Sequence, residues 1–243
     1  MGLMTHVVAG YPSREECIEL LLGMQKAGVG IMEVQVPFSD PIADGETIMK
    51  ANDKALAQGM DTEASFKLIE EARRKGLKAE IYIMSYAQKL IHNGIGTFCK
   101  RAGRAGAKGL IIPDLPFDSP EYKELIRATA ETSLQIVPVV SPGISAQRLK
   151  GALANSGELV YLTSTKGITG NRLLVSDELG KLGGEIRKLS PDKQVAIGFG
   201  IRNADDVSRV LKIADLAVVG SSVIREVEKS GANGALKFIR QLG

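Results

Sequence analysis

Short apolar runs of period two alternate along the chain with longer stretches in which apolar residues recur every three or four positions. The short runs lie at 4–9, 30–36, 79–84, 109–113, 135–140, 158–163, 194–198 and 216–219. Side chains alternate across an extended backbone, so each run reads as a strand with at least one buried face. Between them lie amphipathic stretches, for example 13–27, 62–75, 119–131, 145–155 and 204–213, with helical spacing. Ser13 with Glu16 after it, and Thr62 with Ser65 and Phe66 after it, supply start signals, since a side-chain oxygen there can accept a first-turn amide proton. The stripe Leu20, Leu21, Met24 and Ala27 has the spacing of a helix packed on a core.

A strand followed by a helix, repeated eight times with short connections, predicts one parallel sheet that closes on itself. The expected architecture is a single (β/α)8 TIM barrel over residues 1–243 with an eight-stranded closed parallel sheet. An open doubly wound sheet would carry a Gly-x-Gly-x-x-Gly turn after its first strand. The turn here is Gly10-Tyr11-Pro12-Ser13 instead. In a barrel the chemistry belongs at the C-terminal strand ends and the loops that follow them.

Composition narrows the function classes. Of 243 residues, 44% are hydrophobic and 24% charged, ordinary values for a globular chain. The net charge of +3, from 31 basic and 28 acidic residues, gives no field suited to nucleic acid or a membrane surface. Cys17 and Cys99 lie in separate helical patterns without metal-ligand spacing and are expected to be buried free thiols. No apolar run approaches the roughly 20 residues needed to span a bilayer. No charged segment followed by an apolar one opens the chain, so the expected location is cytoplasmic.

The segment Ile31-Met32-Glu33-Val34-Gln35-Val36-Pro37-Phe38-Ser39-Asp40-Pro41-Ile42-Ala43-Asp44-Gly45 is the most informative in the chain. Glu33 and Gln35 share one strand face, while Met32, Val34 and Val36 take the other. A carboxylate buried there is costly unless it is partnered or functional. Asp44 places a second carboxylate on the following loop, and two carboxylates in different surroundings can take different acid–base roles. A capped turn in which Asp40 and Asp44 only bind backbone amides is the structural alternative. Of the two histidines, His6 on the first strand reads as a core or barrel-mouth residue, and His92 beside Asn93-Gly94 as part of a surface turn.

Three glycine-bearing segments point to a phosphate. Gly198-Phe199-Gly200 ends the seventh run, Gly220-Ser221-Ser222 ends the eighth and opens a helix, and Gly167-Ile168-Thr169-Gly170 follows the sixth. Glycine lets backbone amides approach an anion, and a helix N-terminus adds free amides and the positive end of its dipole. The loops after the seventh and eighth strands are the usual phosphate cradle of such barrels.

The run from Val36 to Gly45 closely resembles the signature of the tryptophan synthase alpha subunit family, Val-Pro-Phe-Ser-Asp-Pro-Leu-Ala-Asp-Gly. Tyr161-Leu162-Thr163-Ser164 through Gly167-Ile168-Thr169-Gly170, Gly109-Leu110-Ile111-Ile112-Pro113-Asp114, Gly198-Phe199-Gly200-Ile201 and Gly220-Ser221 resemble further motifs of that family, in the right order from about Val8 to Val223. The resemblance implies cleavage of indole-3-glycerol phosphate to indole and glyceraldehyde 3-phosphate, with no metal and no cofactor on this chain. It implies Glu33 as general acid/base, Asp44 as partner of the indole N–H and Tyr161 as a positioning residue. Gly170, Gly200, Gly220 and Ser221 would hold the phosphate, and Met84, Tyr86, Ile111 and Pro113 would form the indole slot. The partner would be a beta subunit carrying PLP in an α2β2 complex, with Asp40 at the interface and Asn93 and Gly94 as lesser contacts. Segments 37–45 and 164–174 would be closing loops.

Several positions depart from the family pattern. Gln35 stands where glycine is usual and is expected to bond Glu33 or shrink the indole slot. Glu46 replaces a usual proline and is expected to raise the Asp44 pKa by repulsion, while Thr165 and Lys166 also differ. The chain starts almost directly at its first strand, so the helix that usually covers the barrel's N-terminal end is expected to be short or absent, at a cost to stability. A related phosphate barrel with another substrate, a stand-alone indole-forming lyase and a non-catalytic activator of a beta subunit are the alternatives these departures leave.

Overall fold

The computed structural model describes residues 2–163, 177–198 and 200–243. The first half runs β1 (Leu3–Val8), α1 (Arg14–Lys26), β2 (Ile31–Gln35), α2 (Glu46–Ala57), α3 (Thr62–Arg74), β3 (Glu80–Met84), α4 (Ala87–His92), α5 (Ile95–Arg104) and β4 (Gly109–Ile111). The second half runs α6 (Pro120–Thr132), β5 (Gln135–Val137), β6 (Val139–Val140), α7 (Ala146–Ala154), β7 (Leu159–Leu162), α8 (Asp177–Leu189), β8 (Gln194–Ile197), α9 (Ala204–Val210), β9 (Leu216–Val219) and α10 (Ser221–Leu242). The strands form one parallel sheet in the order β5-β4-β3-β2-β1-β9-β8-β7-β6. This is the expected barrel.

One strand differs from expectation. The run 135–140 is broken into β5 and β6 at Pro138, which has no N–H to give to the ladder. The barrel nevertheless closes there: Gly157 N donates to Ile136 O at 2.9 Å and Tyr161 N to Pro138 O at 2.9 Å. Eight strand positions are therefore built from nine strand segments among the described residues.

Helix starts follow the side-chain capping chemistry. Ser13, Ser119, Ser145 and Asn203 each accept the amide proton of the residue three positions on. At α3 the cap is Asp61, bonded to Ala64 N at 2.7 Å, and not Thr62, which is the first helical residue. A carboxylate at the cap also meets the positive end of the helix dipole. α10 changes course at Gly231, whose φ of 66° is left-handed backbone open to glycine.

Two apolar layers result from strand alternation. Outward residues such as Met32, Val34, Ile81, Ile83 and Leu110 pack under the helices, where Phe66 and Phe98 meet edge to face at 5.1 Å. Burying each such side chain is worth about 1.5–3 kcal/mol. Inward residues including Met4, Tyr82, Met84, Ile111, Leu159 and Val218 fill the barrel. At its N-terminal end Lys108 Nζ joins Glu80 at 2.6 Å and Glu158 at 2.8 Å, partly exposed pairs that add little individually. Cys17 and Cys99 are buried free thiols, their pKa values pushed by burial to about 11 and about 12. Among the described residues no helix is long and apolar enough to cross a membrane.

Candidate active site

A cavity of about 700 Å³, counting its open mouth, lies at the C-terminal ends of the strands. Its wall is built from residues of β1, β2, β3, β4, β6, β7 and β9, from the segments that follow β2, β4, β7, β8 and β9, and from the first turns of α2 and α10. Glu33, Asp44 and Tyr161 line it, as do Met84, Ile111 and Pro113 on an apolar side and Gly200, Gly220 and Ser221 on another.

Glu33 points into the barrel because β2 places its odd-numbered residues inward, and it is 4% exposed. The register sets His6 of β1 directly beside it, with His6 Nδ1 3.3 Å from Glu33 Oε2. That is an ion-pair contact rather than an aligned hydrogen bond. Burial opposes a charge on His6, but the neighbouring charge of Glu33, its contact, and the lesser influence of Asp44 and Gln35 outweigh this and raise the imidazole pKa above its ordinary value.

Asp44 is 5% exposed and held through one oxygen. Its Oδ2 accepts from Gln35 Nε2 at 2.7 Å and from the Tyr86 hydroxyl at 3.0 Å. Burial raises its pKa, while His6 and the two hydrogen bonds oppose the rise and Glu33 adds to it; the net shift is upward. The phenol of Tyr161 is raised well above its usual range by burial and by the two carboxylates, so it stays an O–H donor.

Three expectations are corrected by this geometry. Tyr86 is fully buried and does not line the cavity; it sits behind Asp44, where its hydroxyl also accepts from Ala43 N at 3.2 Å. Gln35 is likewise not part of the cavity wall, and its amide reaches Asp44 rather than Glu33. Glu46 is exposed and paired with Lys50 at 2.7 Å, which lowers its own pKa, and it is not among the influences on Asp44.

The cradle follows from small residues at strand ends. A Cβ at Gly198 would collide with the Tyr161 hydroxyl and lie 2.8 Å from Val218 Cβ. Gly200 has a φ of 65°, left-handed backbone that favours glycine. Gly220 caps α10, whose first-turn amides have no intrahelical acceptor, and Ser221 begins that helix at the cavity. Gly170 and the rest of 164–176, including Thr165 and Lys166, lie outside the described residues.

Asp40 is exposed, away from the cavity, and its Oδ2 accepts from the Ser39 hydroxyl at 2.6 Å. Asn93 follows α4 and donates to Lys89 O at 2.7 Å, and Gly94 caps α5. Asp114, at the end of the 109–114 motif, holds Ala87 N at 2.8 Å, positioning the start of α4 rather than the cavity.

The comparisons decide the family. The sequence matches the family model of the tryptophan synthase alpha chain over residues 1–241. The chain belongs to that family. The tryptophan synthase alpha chain of Chloroflexus aggregans is 32% identical over 100% of this chain and 91% of its own. The solved tryptophan synthase of Mycobacterium tuberculosis superposes with a TM-score of 0.89 at 28% identity, over 99% of this chain and 90% of that one. The tryptophan synthase complex of Pyrococcus furiosus gives 0.87 at 27% identity, over 99% and 97%. Alpha-chain membership places the protein in tryptophan biosynthesis.

The structure adds two residues to those singled out in the sequence, His6 on the cavity wall and Asn52 behind it. His6 was read as a core or barrel-mouth residue; it is buried on the cavity wall, and the β1–β2 register adds that it stands beside Glu33. Asn52 is fully buried on α2, where its Oδ1 accepts from Phe38 N at 2.9 Å and from Gln35 Nε2 at 3.4 Å. Its Nδ2 donates to Ile48 O at 2.8 Å, so one amide ties the loop after β2 to α2. The signal available for Asn52 was its position on the apolar stripe Ile48, Ala51, Ala55.

Proposed function

We propose that the chain is a carbon–carbon lyase that cleaves indole-3-glycerol phosphate to indole and glyceraldehyde 3-phosphate. The observation that carries this is the pair of buried carboxylates, Glu33 and Asp44, facing one cavity that is also lined by a glycine–helix cradle. An aromatic ring, a reacting bond and a phosphate need those three surfaces in one place.

Indole is a poor leaving group while its ring is aromatic. Glu33 delivers a proton to indole C3, and the positive charge that develops at the ring nitrogen is balanced by Asp44 across the indole N–H. With both donors gathered on Oδ2, Oδ1 is the oxygen assigned to that N–H. The glycerol hydroxyl beside the breaking bond then returns a proton to Glu33. Its oxygen forms the aldehyde carbonyl, and the electrons of the carbon–carbon bond restore the aromatic ring. Glu33 ends as it began. A general acid/base is worth about 10²–10⁴-fold in rate.

Met84, Ile111 and Pro113 are assigned to the indole face, and Tyr161 to positioning the reacting end. Gly200, Gly220 and Ser221, with Gly170, are assigned to the phosphate. The reaction draws on acid–base side chains of this chain, without metal or cofactor. Indole passes to a PLP-dependent beta subunit in a cytoplasmic α2β2 complex, with Asp40 on the facing surface. The solved Pyrococcus furiosus relative described as a complex supports that partnership.

The test is to incubate the purified chain with indole-3-glycerol phosphate, with and without a beta subunit, and to quantify both products. Indole and glyceraldehyde 3-phosphate in equal amounts, faster with the beta subunit, are expected. Folded protein that releases neither under both conditions contradicts the reading.

A further inference from the structure

We propose that His6 is the positioning residue of Glu33, holding its carboxylate through Nδ1 and sharing a proton with it. The inference rests on the assignment of Glu33 as the acid/base. Its basis is geometric: His6 is 5% exposed, lines the cavity, and stands at the register position beside Glu33 with 3.3 Å between Nδ1 and Oε2.

Packing alone does not account for a histidine here. Its Nε2 is buried without a hydrogen-bond partner among the described residues. Its ring edge lies against the cradle, with Cδ2 3.4 Å from where a Gly220 Cβ would stand. A phenyl ring would fill the same space without an unsatisfied buried nitrogen. The polar ring is therefore retained for its contact with Glu33.

Charge points the same way. The titratable groups around the cavity are Glu33 from β2, Asp44 from the loop after it and Tyr161 from β7, while the β9–α10 side contributes Gly220 and Ser221. Among the described residues lining the cavity, His6 is the side chain that can carry positive charge. Two buried carboxylates facing one cavity would otherwise favour protonation of one of them. An imidazolium beside Glu33 lets that proton reside on His6 and return to the carboxylate. The raised pKa of His6 and its lowering influence on Asp44 agree with this role.

The experiment combines imidazole ¹⁵N NMR with rate profiles. The chain contains two histidines, buried His6 and exposed His92, so the His6 resonances are assigned by their loss in His6→Phe. His6 is expected to titrate above the ordinary histidine range, and Glu33→Gln is expected to lower its midpoint. In the lyase assay, His6→Phe is expected to lower kcat at least tenfold with KM changed less than threefold. The acid limb of its kcat profile should move to higher pH, since removing a cation beside carboxylates raises their proton affinity. His6→Asn, which keeps a donor near the Nδ1 position, should recover part of kcat but not the limb.

A His6 midpoint unaffected by Glu33→Gln overturns the inference, and this midpoint is read in proteins that keep His6. A kcat and pH profile unchanged in His6→Phe overturns it as well. If Glu33→Gln itself leaves indole release intact, the acid/base assignment fails, and the inference falls with it for that separate reason.

Discussion

Gln35 donates its side-chain amide to Asp44 Oδ2 at 2.7 Å from behind the cavity, on the same oxygen that takes the Tyr86 hydroxyl at 3.0 Å. Glutamine at a position where glycine is usual thus becomes a support for Asp44. Its amide bonds a loop carboxylate instead of its strand neighbour Glu33, since side chains two apart on a strand stand parallel on one face. Tyr86, just beyond β3, is the matching support, its ring tilted by 30° against Phe38 at 5.2 Å.

Removing one of these supports is expected to weaken Asp44 without opening the cavity wall. Tyr86→Phe deletes the hydroxyl and leaves Ala43 N–H without its acceptor. A stability loss of about 1–2 kcal/mol is expected from the lost hydrogen bonds. Urea titration measures that loss, and steady-state kinetics should show a lower kcat from the less firmly held carboxylate.

Asn52 ties the β2 loop to α2 through Phe38 N, and its replacement by alanine strands a buried amide. Asn52→Ala is expected to cost about 1–3 kcal/mol, the penalty for a buried donor left unpaired. Denaturant midpoints at constant m-value test this.

Gly198→Ala is expected to displace the Tyr161 ring, since the new methyl would occupy the hydroxyl's place and press on Val218. Overpacking of this kind costs typically about 1–3 kcal/mol. A lower Tm together with reduced activity is the expected outcome. Tyr161→Phe in the same background removes the obstructing oxygen and should recover part of the Tm.

Acid–base linkage gives a pH signature. Asp44 has a raised pKa in the folded state, so the fold binds its proton more tightly and loses stability as pH rises from the unfolded value through the folded one. His6 is also raised; its stabilisation is complete below the ordinary histidine pKa and is lost as pH rises through the folded value. Asp44→Asn is therefore expected to be more stable than the parent at pH 8 and to lose that advantage toward pH 4. Tm measured across that range tests the sign, while indole release should fall at least about 10²-fold if Asp44 carries its assigned role.

Alternation and helical spacing made the barrel legible in the sequence, because each strand is followed by an amphipathic stretch that must cover it. The break at Pro138 escaped because a lone missing N–H does not disturb an apolar run. At α3, Asp61 and Thr62 both carry capping oxygens, and only the backbone decides between them. Glu33 and Asp44 stood out as carboxylates in and after an apolar strand. His6 did not, since register between β1 and β2 is a property of two strands that neither sequence run displays alone. Tyr86 and Gln35 were expected at the indole slot and stand behind Asp44 instead: strand parity gives Gln35 a face but not a depth, and Tyr86 lies beyond the end of β3.

Glu33 is assigned both proton transfers in this cavity. The most direct measurement is single-turnover indole release from indole-3-glycerol phosphate by the parent chain and by Glu33→Gln, with circular dichroism to verify that both are folded. A fall of at least about 10²-fold in the rate, with substrate binding retained, is the predicted result. Equal rates from the two proteins would contradict it.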